Sequence, residues 1–331
     1  MQTRILGRTG RHVGVVGLGC WQLGGDWGTV DDDQAMSTLH AAVDEGVTFF
    51  DTADVYGDGR SEQLIGRLLR EDRAGIGSGI MVATKMGRRA DPHTPQAYQL
   101  DAFREWTDRS RRNLGVDVLD LVQLHCPPTA VFDDDRVFDA LDSLVEEGRV
   151  KSYGVSVETV AEALTAIARP GVATVQIIVN AFRRKPLEAV LPAAAQAGVG
   201  IIARVPLASG LLTGKYDETT QFSADDHRSY NRNGEAFDVG ETFAGVPYAE
   251  GVAAAREIAA SVPPGMTTAQ AALRWLLDHD EVSVIIPGAR NAEQVRGNAS
   301  AADLAPLPAA VADNFTRVYD ERIREHVHAR W

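Results

Sequence analysis

Asp51, Tyr56, Lys85 and His125 are the residues whose types and placement offer chemistry. Three of them end short apolar runs: Val47-Thr48-Phe49-Phe50 stops at Asp51, Ile80-Met81-Val82-Ala83-Thr84 at Lys85, and VLDLVQL, residues 118–124, at His125. Tyr56 follows Asp51 by five residues, in a Gly-rich turn. A free phenol has a pKa of about 10. A nearby ammonium favours the phenolate and pulls that value down, and a carboxylate holds the ammonium charged and in place. On this reading the Tyr56 phenol becomes a proton donor near neutral pH, and His125 orients a substrate carbonyl by hydrogen bond. Such an acid needs a hydride. No side chain in the set supplies one, so a redox cofactor is implied. Singly, each residue has a plainer role: a strand-end Asp caps a turn, a lone Lys snorkels to solvent, a lone His is a satisfied core residue. Their occurrence at consecutive strand tips is what argues for a site.

The elements that must position them recur as strand plus helix. Apolar, β-branched runs at 15–18, 47–50, 80–84, 118–124, 150–155, 174–178, 200–203 and 282–286 predict eight strands. Helical patterns alternate with them, at 31–45, 61–70, 98–114, 133–147, 158–168, 187–197, 248–260, 267–278 and 292–299, with a further helix at 309–326. Near-continuous apolar strands suit a parallel sheet buried on both faces, and eight βα units predict a closed (β/α)8 TIM barrel whose working groups lie at the C-terminal strand tips. Residues 1–15 read as a small β-hairpin with turns at Gly7 and Gly10. No Pro/Gly-rich linker divides residues 1–331, which favours one domain. A doubly wound sheet would want a third glycine after Gly17-Leu18-Gly19; Cys20-Trp21-Gln22 follows instead. Residues 215–247 break the rhythm. They are polar, with Tyr216, Phe222, Tyr230, Phe237 and Phe243 scattered through them, and read as a lid.

Composition excludes several classes. The chain has 331 residues, 44% apolar and 24% charged, with a net charge of -13 and no stretch rich in Lys and Arg alone. Nucleic acid as a main partner lacks its basic footprint. Cys20 and Cys126 are too few for a disulfide scaffold and lack the spacing of a metal or redox motif, so both read as reduced thiols. The opening MQTRILGRTG has no apolar signal segment, and no run approaches the ~18 apolar residues of a spanning helix, so a cytoplasmic protein with no membrane partner is expected. A metal centre is not favoured: His125 stands alone at a strand tip and His93 falls in a polar loop. The last strand supplies a cofactor clue. It ends in Pro287-Gly288-Ala289-Arg290 just before a helix, whose N-terminus favours anions. Arg290 suits phosphate, and Gln294 and Asn298 share its face at helical spacing.

These segments resemble the aldo-keto reductases along essentially the whole chain. DTADVYGDGRSEQLIG, with Asp51 and Tyr56, looks like the family's first signature, and Lys85 in VATKMG and His125 in LHCPP match its other catalytic positions. YGVSVE, PLASGLLTGKY and IIPGARNAEQVRGN match its cofactor segments, and the nearer likeness is to the bacterial and potassium-channel β-subunit-like branch. The resemblance implies NADPH, or NADH, bound in extended form, with hydride passing to an aldehyde or ketone and the proton coming from Tyr56. It implies that Lys85 and Asp51 tune the acid and that Trp21, Tyr56 and His125 face the small-molecule carbonyl. Trp27 also belongs to the expected apolar mouth. Gly19, Cys20, Trp21 and Asp51 would border the cofactor, and Ser156 and Gln176 would hold its carboxamide. Pro206, Leu207, Ser209, Gly210 and Lys215 would wrap the pyrophosphate. Gly288, Arg290, Gln294 and Asn298 would take the adenosine end, with Arg290 near a 2′-phosphate. Two departures stand out. Val157 replaces the Asn that follows the family's serine, and Arg204-Val205-Pro206-Leu207 replaces a segment with an aromatic that stacks on the nicotinamide. A guanidinium plane also stacks on rings, so Arg204 takes that place and brings a positive charge. The alternative to an enzyme is a nicotinamide-nucleotide-sensing module with little turnover; the intact Asp51, Tyr56, Lys85, His125 set favours the enzyme.

Overall fold

The computed structural model describes residues 1–25, 30–71 and 79–331; Trp27 lies outside them. Two short strands, β1 (Thr3–Ile5) and β2 (His12–Gly14), pair antiparallel as the expected hairpin. The strands that follow are β3 (Leu18–Gly19), β4 (Phe49–Asp51), β5 (Met81–Met86), β6 (Leu121–His125), β7 (Tyr153–Ser156), β8 (Val172–Ile178), β9 (Gly200–Arg204) and β10 (Val282–Ile285). They form one eight-stranded sheet in sequence order, every neighbouring pair parallel. The ends of that order meet. Val16 bridges Ile285, Gly19 bridges Gly288, and Gly17 N donates to Ile285 O at 2.8 Å. The barrel expected from the alternation is therefore the fold.

Helices cover the outside. Their starts are encoded locally: Asp31 caps the Asp32–Asp44 helix, and capping boxes with Thr159 and Thr267 open the Val160–Ile167 and Thr268–Leu277 helices. No helix among the described residues is long and apolar enough to cross a membrane.

On four strands the inward face grades from apolar to polar. Residues two apart share a face of a strand, so the runs are Phe49 to Asp51, Ala83 to Lys85, Leu121 to Gln123 to His125 and Ile202 to Arg204; on β8 both Thr174 and Gln176 are polar. At the lower end Leu6 and Val13 of the hairpin join Phe49, Met81, Leu121, Ile202 and Val284 in one buried cluster. The hairpin thus plugs the floor, and the polar residues collect at the opposite mouth.

Several expectations shift. The first strand of the sheet is Leu18–Gly19 rather than 15–18, Val16 making only an isolated bridge. The fourth starts at Leu121 rather than 118 and the fifth at Tyr153 rather than 150, because Leu119 and Val150 pair only through an isolated bridge to each other. The last helix is not continuous: Ala309–Val318 passes through a wide turn, Tyr319–Ile323, before Arg324–Val327. Residues 215–247 carry a short helix, His227–Tyr230, and turns at Val239–Glu241 and Phe243–Gly245. Asn231 organises this segment. Its Oδ1 accepts from the Ala236 and Phe237 amides at 2.8 and 2.9 Å, and its Nδ2 donates to Thr242 Oγ1 at 3.1 Å.

The seam of the barrel has no room for a side chain at Gly17. A Cβ there would lie 2.8 Å from Phe49 O and 3.2 Å from Val284 Cγ2. Gly17→Ala is expected to cost about 1–3 kcal/mol through overpacking, read as a lower Tm; an unchanged Tm would contradict a closed seam.

Candidate active site

Asp51, at the end of β4, is 2% exposed, and Lys85, on the neighbouring β5, is 1% exposed. An ammonium has three protons to place. Lys85 Nζ donates to Asp51 Oδ1 at 2.5 Å, to Thr52 O at 2.8 Å and to Tyr56 OH at 3.4 Å. The other carboxylate oxygen, Asp51 Oδ2, accepts from Gln176 Nε2 at 2.7 Å and Gln123 Nε2 at 3.2 Å. Gln123 was missed in the sequence; its signal was the i−2 position from His125, on the same strand face. Gln176, expected to hold a carboxamide, borders the cavity, and its amide nitrogen is engaged by Asp51.

Tyr56 is carried by a tight turn whose Gly57, Asp58 and Gly59 all have positive φ. A Cβ on Gly57 would lie 2.3 Å from Gly24 O, so the turn is seated directly on the Trp21–Gly24 segment. There Trp21 stacks on Tyr56 with centroids 5.9 Å apart, and His125 meets Tyr56 edge-on at 5.8 Å.

The electrostatics correct one expectation. Burial pushes the Tyr56 phenol above its ordinary value, and Lys85, acting in the other direction, does not reverse it. Desolvation of the phenol outweighs the neighbouring cation, a balance that residue types alone do not show. The phenol therefore stands as a protonated O–H donor. Burial also works against the Lys85 ammonium, but the Asp51 charge and hydrogen bond outweigh it and the Lys85 pKa is raised. Burial, with Arg88, Lys85 and Arg204 adding to it, holds His125 well below the usual imidazole value, so the ring is neutral. Its buried Nδ1 has no partner among the described residues.

Tyr56 and His125 border a cavity of about 930 Å³. Gly19, Cys20, Trp21 and Asp51 line the same end, with Ser156, Gln176 and Arg204. Along one side run Val205, Pro206, Leu207, Ser209, Gly210 and Lys215; Gly288 lies beside Gly19 at the barrel seam, and Arg290, Gln294 and Asn298 follow it toward the far end. The structure thus gathers the sequence-predicted positions that fall among the described residues around one space, Lys85 standing behind Asp51 and Tyr56. Tyr216 and Phe222, expected as lid aromatics, also line it; Arg228, Glu241, Thr267 and Gln270 line it too and were not foreseen as site residues.

The two sides are built differently. From Val205 to Gly210 the chain bends through left-handed φ at Val205, Ala208, Ser209 and Gly210. For β-branched Val205 that conformation is costly, and Asn180 Nδ2 holds its carbonyl at 2.9 Å. The Ser209 hydroxyl is engaged by the overlying segment, donating to Glu241 O at 3.2 Å and accepting from Phe243 N at 3.0 Å. At the far end Asn291 caps the Ala292–Ala299 helix. Gln294 and Asn298 fix the preceding turn: Arg290 N donates to Gln294 Oε1 at 2.8 Å, and Asn298 Nδ2 to Gly288 O at 3.3 Å.

Val157 is fully buried in the core, and its carbonyl accepts from Arg204 Nη2 at 3.1 Å. The same Arg204 nitrogen meets Glu158 Oε2 at 2.8 Å. Cys126, Glu158 and Glu241 bring ligand-type atoms together, but Arg204 and Arg88 already pair with the carboxylates. Burial pushes both the Cys20 and Cys126 thiols far up.

The lid aromatics divide. Phe237 packs on Trp21 at 5.8 Å and Tyr230 on Phe237 at 6.2 Å; His227, also unforeseen, lies 4.9 Å from Trp21. Tyr216 and Phe222 line the cavity side, and Phe243 is core.

Asp51→Asn would leave the Lys85 ammonium buried without its counter-ion. The expected loss is about 3–5 kcal/mol, measured by equilibrium urea unfolding; a loss below about 1 kcal/mol would mean the pair behaves as a solvated one.

Comparison with known proteins identifies the family. The aldo/keto reductase family model matches residues 15–320. The chain is 30% identical over 300 residues to the aldo-keto reductase YhdN of Bacillus subtilis, covering 89% of this chain and 87% of that one. It is 29% identical to a probable voltage-gated potassium channel subunit beta of Arabidopsis thaliana, covering 93% of each. Among solved structures, the glycerol dehydrogenase AKR11B4 of Gluconobacter oxydans superposes with a TM-score of 0.75 at 31% identity, over 98% of this chain and 95% of that one. An aldo-keto reductase of Klebsiella pneumoniae in complex with NADPH gives 0.71 at 25% identity, over 96% of each. With its barrel, its strand-tip residues and these matches, the chain belongs to the aldo/keto reductase family.

Proposed function

We propose that the protein reduces an aldehyde or ketone to the alcohol, using NADPH. The observation that carries this reading is the Tyr56 hydroxyl on the buried Lys85–Asp51 pair, facing neutral His125 at one end of a long cavity. The cavity suits a dinucleotide. Arg290 and a capped helix N-terminus lie at its far end for phosphate, and Lys215 lies along its side. The family relative solved with NADPH supports the same cofactor.

The bound nicotinamide would supply a hydride, with its electron pair, to the carbonyl carbon. The protein then has to provide the rest. The carbonyl oxygen needs a donor, and Tyr56 OH gives up its proton there as the C=O π electrons move onto oxygen. The phenolate left behind is stabilised by Lys85 Nζ, 3.4 Å away, which Asp51 and Thr52 O hold in position. Neutral His125 does not compete as an acid; it offers a hydrogen bond that orients the carbonyl. Trp21 and Phe237 form an apolar wall beside the phenol, which limits water there.

Tyr56→Phe removes one hydroxyl and little volume. It is expected to lower the rate of NADPH consumption with 4-nitrobenzaldehyde by about 10²–10⁴ while NADPH affinity, followed by intrinsic Trp fluorescence, stays nearly unchanged. Retained turnover would overturn the role of Tyr56. Wild-type protein that binds NADPH but reduces no activated aldehyde would point instead to a nucleotide-sensing module.

A further inference from the structure

Four charged side chains form a closed network at the reacting end of the cavity. Arg204, at the tip of β9, is 7% exposed and borders the cavity with Ser156 and Gln176. Its Nη2 donates to Glu158 Oε2 at 2.8 Å, and its Nη1 lies 3.8 Å from Glu241 Oε2. Arg88 joins the same two carboxylates, at 2.7 Å to Glu241 Oε1 and 3.7 Å to Glu158 Oε1. Glu241 itself lines the cavity and comes from the segment that folds over the mouth. Burial pushes the Glu158 carboxyl up to about 7; burial also acts on Glu241, but Arg88 and Arg204 hold it at about 2. Above neutral pH the two cations and two carboxylates therefore balance.

The place of this network matters. Hydride and proton go to bonded atoms of one carbonyl, so the nicotinamide ring must lie close to Tyr56 and His125. Arg204 is at that end: its Nη2 is 3.7 Å from Sγ of Cys126, the residue after His125, and His125 feels the Arg204 charge. The ring differs between its two states chiefly by one unit of positive charge, carried only when oxidised. A lone guanidinium there would repel the oxidised ring and leave the reduced ring nearly unaffected.

We propose that Glu158 and Glu241, by neutralising Arg204 and Arg88, set the relative affinity of the site for oxidised and reduced nicotinamide, Arg204 serving as a ring-facing plane with its charge cancelled from behind. This rests on the NADPH reading above. It gives the overlying segment a further part, since it delivers one of the two carboxylates.

The test is the ratio of Kd for NADP⁺ to Kd for NADPH, measured by Trp fluorescence titration at pH 8.5. Ribose, phosphate and adenine contacts are common to both nucleotides and cancel in the ratio. Glu158→Gln and Glu241→Gln, each removing one negative charge, are expected to raise it about three- to thirty-fold. Arg204→Met is expected to lower it by a similar factor. Glu158→Gln combined with Arg204→Met restores the balance of charge, and its ratio should return to within about threefold of wild type. Lost packing alone would shift the single variants without opposite signs and without compensation. Ratios that move in one direction for all variants, or stay unchanged while both nucleotides bind, would overturn the inference. Wild-type protein that binds neither nucleotide would overturn the NADPH reading itself, and this inference with it.

Discussion

Lys85 carries its ammonium into the barrel, where water does not reach it, and Asp51 on the adjacent strand holds it at 2.5 Å. Burying two charges is costly and is recovered only when geometry and further hydrogen bonds are good. Here every available group is enlisted. Gln123 and Gln176, from β6 and β8, close on the second Asp51 oxygen, and the Thr52 carbonyl takes another ammonium proton. These donors come from separate strands and converge only because the sheet closes on itself. The pair therefore depends on the barrel, and the position and charge environment of Tyr56 depend on the pair.

The graded interior explains how one scaffold serves both stability and chemistry. On β4, β5, β6 and β9 the lower inward position is apolar and belongs to the cluster around the hairpin plug, while the upper one is polar and faces the mouth. A single change of residue type, two positions along the same face, separates Phe49 from Asp51 and Ile202 from Arg204. The segment over the mouth then completes the site from outside the barrel. Asn231 fixes its shape, Phe237 reaches Trp21, and Glu241 reaches Arg88 and Arg204. The overall acidity of the chain, at -13, contrasts with the cations at the cavity, where Lys215, Arg290 and Arg296 line the walls.

Much of this was legible in the sequence because it is local. A strand tip is readable from an apolar run that stops, so Asp51, Lys85 and His125 were found. The Gly288–Asn298 stretch was readable from a strand end followed by a helix start. What escaped was long-range. Gln123 lies inside an apolar run and reads as an interruption until β6 is set beside β4. Glu158 looked like the start of a helix, and Glu241 falls in a segment with no period, so nothing local links either to Arg204. The rise in the Tyr56 pKa has the same origin, since desolvation is set by the folded surroundings of the ring and not by its neighbours in sequence. The start of β7 slipped because Val150 has the right residue type but lies before the sheet proper begins.

The proposed reduction requires that hydride pass directly from the nicotinamide to the substrate carbon at the Tyr56 end of this cavity. A turnover with NADPH deuterated at both C4 positions tests it, with mass spectrometry of the alcohol formed from 4-nitrobenzaldehyde. One deuterium on the former carbonyl carbon is the expected result. An alcohol formed without the label would contradict direct transfer from nicotinamide, and the cavity would need a different chemistry.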